Sequence, residues 1–168
     1  MRPPFYLRAD AAKAHLMSEI AKRFETILRI EGLFTAMRWL NVRVPYRYSA
    51  VFSFDRDILH NICLVDKNDR NISKCPDQSI TDSYCIYVRR MEERFNLEES
   101  LTDKRVEGHA KRQSVQCYYG IPLYGEKGQM LGTVCHFDGS PVRVTEEIAS
   151  VLDDLGPLIA NAVFNGAE

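Results

Sequence analysis

Thiols have the widest chemical reach of the side chains in this sequence, and five of them stand at positions 63, 75, 85, 117 and 135. A cysteine attacks or ligates only as thiolate, and it needs a base, a resolving thiol or co-ligands beside it. Cys135 is followed by His136, the two residue types of a cysteine nucleophile and its base. Neighbours on a strand point to opposite faces, so strand geometry here would hold thiol and imidazole apart and argues against a dyad. There is no CxxC pair, and His60-x-x-Cys63 lacks a matching second pair, so structural zinc is not expected. An odd number of cysteines without a secretory pattern does not read as a disulfide framework. Cys63, Cys117 and Cys135 lie inside apolar runs, where a free cysteine serves as a small hydrophobe. The sequence has no HExxH, GxSxG, P-loop or GxGxxG motif. His15, His60, His109 and His136 are haem-ligand candidates by residue type alone.

The elements that would position these groups are legible in the hydrophobic pattern. Cys117 to Asp138 alternates as two strands folded about Gly125-Glu126-Lys127-Gly128, with Cys117, Tyr119, Ile121 and Leu123 on one face of the first strand. Leu131, Thr133, Cys135 and Phe137 share a face of the second. That period of two, bounded by glycines, predicts a β-hairpin. Upstream, Asp10 can cap a helix over residues 11–40, broken at Gly32, with Leu16, Ile20, Phe24, Ile27, Leu33, Met37 and Leu40 as its apolar stripe. Strands are predicted over 46–54 and 58–65, with Tyr48, Ala50, Phe52 and Phe54 on one face. A polar loop over 66–79 follows, then a helix over 82–94, a strand over 95–100 and a charged irregular segment over 101–114. Thr145 caps the last helix, whose first turn carries Glu146 and Glu147, and Gly156-Pro157 should bend it.

The chain of 168 residues is expected to be one domain: a helical region over 1–44, a sheet with pocket loops over 45–143 and a helix over 144–168. The net charge of −1 exerts no general pull toward nucleic acid or anionic membrane. The N-terminus has no apolar core of a secretory signal and no apolar run is long enough to span a bilayer, so a cytoplasmic protein is expected. Charge is unevenly placed. Residues 1–47 carry nine Lys/Arg against four acids, whereas residues 144–168 carry five acids and no Lys or Arg. Terminal helices of unlike charge suit side-by-side packing, within a protomer or across a homodimer.

Several segments in order resemble the GAF domain, a small module of bacterial sensory proteins. They are Ser79 to Cys85, Leu101-Thr102-Asp103-Lys104-Arg105, Gly120-Ile121-Pro122-Leu123, Leu131 to Asp138 and the terminal amphipathic helix. The resemblance implies an α/β chain of the α+β type. An antiparallel sheet of five to six strands would carry the N- and C-terminal helices on one face and a short helix with loops on the other. It implies a pocket between the sheet and residues 66–114, bordered by Tyr84, Cys85, Asp103, Arg105 and Tyr118. It also implies a non-catalytic sensory or regulatory role in signal transduction. An unidentified small molecule or a partner signalling protein would bind, the output would pass through terminal helices or a homodimer, and the resemblance specifies no cofactor. A local ion pair between Asp103 and Arg105 that merely fixes the loop is the structural alternative for those two residues. Cyclic-nucleotide members resemble one another in an Asn-Lys-x-Phe-Asp-Glu pattern that is missing here, and bilin members in a Cys–His attachment that Cys135-His136 mimics on a core strand. The GAF-fold free methionine-(R)-sulfoxide reductases suggest an enzyme alternative. Cys75 and Cys85 have the spacing of their first two cysteines, but Arg112 occupies the third position in Gly108-His109-Ala110-Lys111-Arg112. A ligand-free dimerisation scaffold is the third reading.

Overall fold

The computed structural model describes residues 19–165. Helix α1 covers residues 19–31 and α2 covers Leu33–Asn41. Gly32, with φ of 90°, breaks the run between them as the glycine predicts. The proposed Asp10 cap lies outside the described residues. Strands β1 (Tyr48–Asp55) and β2 (Ile58–Asp66) form the first hairpin, and β5 (Cys117–Tyr124) and β6 (Met130–Asp138) the second. The second closes on the predicted turn: Gly125 N–H donates to Gln129 O, and Gly128 takes a φ of 77°. Between the hairpins lie β3 (Gln78–Ser79), α3 (Cys85–Met91) and β4 (Phe95–Leu97), and α4 (Glu146–Ala160) follows the second hairpin and runs into a π-helical turn at Asn161–Asn165.

The six strands form one antiparallel sheet in the order β3-β2-β1-β6-β5-β4. Alternation sends side chains to two cores, one on each face. On the helix face, Phe24, Met37 and Leu40 pack with Leu152, Leu155 and Ile159 of α4 and with Val51, Cys117, Tyr119 and Leu123 of the sheet. The terminal helical regions thus share one face of the sheet. On the opposite face, Ala50, Phe52, Tyr118 and Cys135 pack with Tyr84, Cys85, Val88 and Phe95. Each hydrophobic side chain so enclosed contributes on the order of 2 kcal/mol relative to exposure.

Several boundaries differ from the expected ones. The helix expected over 82–94 is a 3-10 turn at Ile80–Asp82, an extended Ser83, and then α3. Ser83 Oγ accepts from Cys85 N–H, which starts a fresh helix instead of continuing the turn. Glu92 ends α3 in a left-handed conformation. The end of the loop expected over 66–79 pairs as β3 with Ile58 and Leu59, a two-residue contact too short to leave an alternating pattern. The strand expected over 95–100 stops at Leu97, because β4 has a partner in β5 only over Tyr118–Gly120. Thr145 caps α4 as expected, its hydroxyl accepting from Ile148 N–H. Among the described residues, no helix is long and apolar enough to cross a membrane.

Candidate functional site

The site is assembled on the loop face of β5 and β6. Cys135 pairs across the sheet with Ala50 and Gly120, two positions that leave space beside its sulfur. Tyr118 uses that space. A Cβ on Gly120 would stand 2.3 Å from Tyr118 Oη and 2.5 Å from its Cε1, so the ring lies flat across the glycine. Lying there, the Tyr118 hydroxyl donates to Cys85 Sγ at 3.1 Å. Thr133, which shares the face of Cys135, sends its hydroxyl to the same sulfur at 3.3 Å. Cys135 belongs to the same buried cluster as Cys85. All of these groups are buried.

Burial pushes the Cys85 thiol up, but the donors around it, Tyr118 and Thr133 among them, outweigh that and hold the group below the ordinary thiol value. Burial raises Cys135 and Tyr118 well above their ordinary values, so both keep their protons. Cys63 and Cys117, which lack such donors, are pushed up to about 12 by burial. Cys75 is half-buried, and it too is raised by burial. The five cysteines are free thiols, and among the described residues no three His, Cys, Asp or Glu side chains converge as a metal site would require.

A cavity of about 120 Å³ opens beside this cluster. Phe52, Tyr84, Tyr118 and Cys135 wall it, and Gln78, Asp82, Ser83 and Lys111 supply polar groups at its margin. Tyr84 is anchored by its hydroxyl to Val115 O at 2.9 Å and meets Tyr118 edge-on with ring centres 5.7 Å apart. Of the residues expected to border a pocket, Tyr84, Cys85 and Tyr118 therefore come together, with Cys85 directly behind the Tyr118 hydroxyl.

Asp103 and Arg105 stand elsewhere. Arg105 grips Asp103 through Nε at 3.0 Å and Nη2 at 2.6 Å, donates to Asn96 O and lies 4.7 Å above the Phe95 ring. The Arg105 guanidinium holds the Asp103 carboxyl below its usual range. Asp103 also accepts from Arg105 N–H, capping the short 3-10 turn at Lys104–Val106. The pair borders a separate polar groove of about 770 Å³ with Glu98, Glu99 and Arg143. The Nε and Nη2 donors of Arg105 are engaged by Asp103 and Asn96.

Sequence reasoning missed Cys135 and Thr133 as site residues by assigning them to the core. The usable signal was their shared face on β6, opposite His136. His136 indeed points to the helix side, where its Nδ1 lies 2.7 Å from Ser49 Oγ. The other histidines do not enter the cavity wall: His60 is exposed between Asp55 and Asp77, and His109 packs behind Tyr84 at 4.7 Å. His15 lies outside the described residues. Arg112 donates to Ser100 O and Leu101 O and so pins the 101–115 loop at the position where the reductases carry a cysteine.

Comparison with solved structures decides the architecture. The GAF domain of an Acinetobacter phosphoenolpyruvate-protein phosphotransferase superposes with a TM-score of 0.70 at 12% identity, covering 88% of this chain and 92% of that one. This is a GAF fold. The free methionine-R-sulfoxide reductase of Neisseria meningitidis, solved with its substrate, has a TM-score of 0.70 at 13% identity over 89% of both chains. A phycocyanobilin-bound GAF domain from a cyanobacterial phytochrome has a TM-score of 0.68 at 9% identity, over 89% of this chain and 94% of that one. No protein-family model and no curated protein sequence matches the chain. At such identities the likeness is one of GAF architecture, which hosts sensors, pigment binders and an enzyme alike.

Proposed function

We propose that this GAF domain is a non-catalytic sensory module that holds a small polar molecule in the cavity over β5 and β6. The observation that supports it is the cavity itself, with flat tyrosine walls, an acid at Asp82 and a base at Lys111. At about 120 Å³ it is well below the roughly 300–1,000 Å³ of a pocket for a drug-sized ligand, so it suits a ligand of few heavy atoms. The opposite charges at its margin suit a zwitterion or a small carboxylate.

Neighbouring tyrosines give occupancy a route outward. Tyr118 faces the cavity, whereas Tyr119 faces α4. The Tyr119 hydroxyl lies 2.7 Å from Asp153 Oδ1 and 3.2 Å from Ala149 O, and Arg94 donates to it at 3.1 Å. A ligand that shifts Tyr118 along β5 changes the strain on this clasp and the packing of α4, which is a population shift between two helix arrangements. A homodimer through the terminal helices, or a partner signalling protein on them, would receive the change.

Native mass spectrometry of purified protein, with a thermal-shift screen of small amino acids and carboxylates, tests the reading. A retained ligand or a stabilising hit, lost in Lys111→Ala and unaffected in Arg105→Ala, is expected. An unliganded protein with no hit across the screen would refute it, as would a hit that Arg105→Ala abolishes and Lys111→Ala spares. Light scattering tests the dimer, and a monomeric mass removes it.

A further inference from the structure

Gly156-Pro157 lies inside α4, where both residue types disfavour a helix, and the cavity over β5 and β6 makes no use of the pair. A Cβ on Gly156 would stand 2.7 Å from Ile121 Cδ1, so the glycine lets α4 lie close against β5. Pro157 has no N–H to give Asp153 O. Past Ala160 the chain widens into the π-helical turn, a form frequent at functional sites. On the sheet side β4 pairs with β5 only as far as Gly120, so among the described residues no strand continues alongside Ile121 to Tyr124. These features leave a cleft of about 490 Å³, within the roughly 300–1,000 Å³ typical of small-molecule sites. Ile121, Pro122, Pro157 and Ala160 line it with carbon, and Arg94 and Asp153 are the charged groups in its wall. Arg94 Nη1 makes two contacts, to Tyr119 Oη and to Asp153 Oδ2, each at 3.1 Å. Asp153 Oδ1 accepts from Tyr119 at 2.7 Å, so both carboxylate oxygens have a donor. Among the described residues, Nε and Nη2 of Arg94 meet no acceptor, and the side chain keeps 41% of its surface exposed. That edge of a guanidinium takes a carboxylate through two parallel hydrogen bonds.

We propose that this cleft binds a monocarboxylate with an apolar chain or ring, of the kind of octanoate or phenylpropionate. The carboxylate takes the Nε and Nη2 edge of Arg94, and the hydrocarbon lies against Ile121, Pro122, Pro157 and Ala160. Charge complementarity selects the head. Arg94 is the only cation among the lining residues, and Asp153 already has its donors, so the wall offers hydrogen bonds to an anion and has no carboxylate left for an amine. Residues 144–168 add five acids and no Lys or Arg, so an anion held here depends on Arg94 alone. The carbon walls select the tail, because a carboxylate without one leaves them in water. The bound head shares Arg94 with the contacts that hold Tyr119 to α4, so occupancy acts on that helix. The site shares no lining residue with the cavity over β5 and β6 and does not rest on the ligand reading for it.

Calorimetric titration of the natural protein with octanoate, octylamine, octanol and acetate tests the site, and amide chemical shifts locate it. Octanoate should bind roughly tenfold or more tightly than the other three and should move the amides of Ile121 and Ala160. Arg94→Ala should weaken it by roughly tenfold to a hundredfold. Arg94→Lys keeps the charge without the fork and should recover only part of the affinity. Asn161 is exposed at the cleft, and Asn161→Trp should fill it without disturbing the core. Lys111→Ala, in the other cavity, should leave octanoate affinity unchanged. No octanoate binding, octylamine binding as tightly, unchanged affinity in Arg94→Ala or Asn161→Trp, or shifts confined to the Tyr118 cavity would each overturn the proposal. So would a dimer that Asn161→Trp dissociates and octanoate does not, since a second copy would then fill the cleft. If Arg94→Ala does not fold, Arg94→Lys and Asn161→Trp decide.

Discussion

Lowering the pH should destabilise this domain chiefly through one imidazole. His136 is 2% exposed, with Ser49 Oγ at 2.7 Å, the Tyr46 ring centred 6.0 Å away and the charge of Lys67 acting on it from beyond β1. Burial, helped by Lys67, lowers its pKa from 6.5 to about 3. The folded form therefore holds the ring neutral while the unfolded chain protonates it, so the unfolded state binds more protons below pH 6.5. Stability is intact above that pH and is lost as pH falls from 6.5 toward 3. At pH 5 the unfolded histidine is stabilised by protonation roughly thirty-fold while the folded one is barely affected, which is about 2 kcal/mol. For a domain of this size that is a fall of roughly 4–8 °C in Tm. His109, lowered by burial, adds in the same direction, and exposed His60, raised by Asp77 and Asp55, opposes it. The decisive assay is therefore a comparison: urea denaturation at pH 7.5 and 5.0 for the natural protein and for His136→Gln, whose amide can still meet Ser49. The natural protein should lose about 2 kcal/mol more than the variant between the two pH values. Equal losses in both would refute the assignment of the acid sensitivity to His136.

Three further outcomes are expected. Gly120→Ala places a methyl group inside the Tyr118 ring, within 2.6 Å of three of its atoms. It should cost about 1–3 kcal/mol of stability and abolish ligand responses that pass through Tyr118, as read by denaturation and the thermal-shift screen. Tyr119→Phe removes the hydroxyl shared by Asp153, Ala149 and Arg94, with a cost of about 1–2 kcal/mol. Hydrogen exchange should show α4 loosening before the sheet, and uniform loosening would count against a clasp. Thr145→Ala deletes the α4 cap, and urea denaturation should show a loss of about 1 kcal/mol that Thr145→Asp largely restores.

The fold was largely legible because its signals are local. The alternation on either side of Gly125–Gly128, the break at Gly32 and the cap at Thr145 each depend on a few consecutive residues and on sterics that act wherever the chain goes. The same alternation correctly parted Cys135 from His136. Irregular segments were less legible, since their ends depend on partners far along the chain. The short β3 exists only because Ile58 and Leu59 lie alongside it, and β4 stops where β5 ceases to face it.

The candidate site divides the same way. The resemblance to the GAF family drew Tyr84, Cys85, Asp103, Arg105 and Tyr118 into one group, yet nothing local could say which would meet. The Asp103–Arg105 contact closes within three residues and needs no tertiary structure, so it is satisfied locally and stays away from the cavity. The contact of Cys85 with Tyr118 and Thr133 spans up to 48 residues of sequence and requires α3 to lie across β5 and β6. By itself, the sequence determined which face of each strand a thiol occupies, because side-chain direction has a period of two. Only the tertiary structure decided that Tyr118 and Thr133, on two different strands, would both direct their hydroxyls at the Cys85 thiol of α3, because strand order and the placement of α3 are set by packing between distant segments.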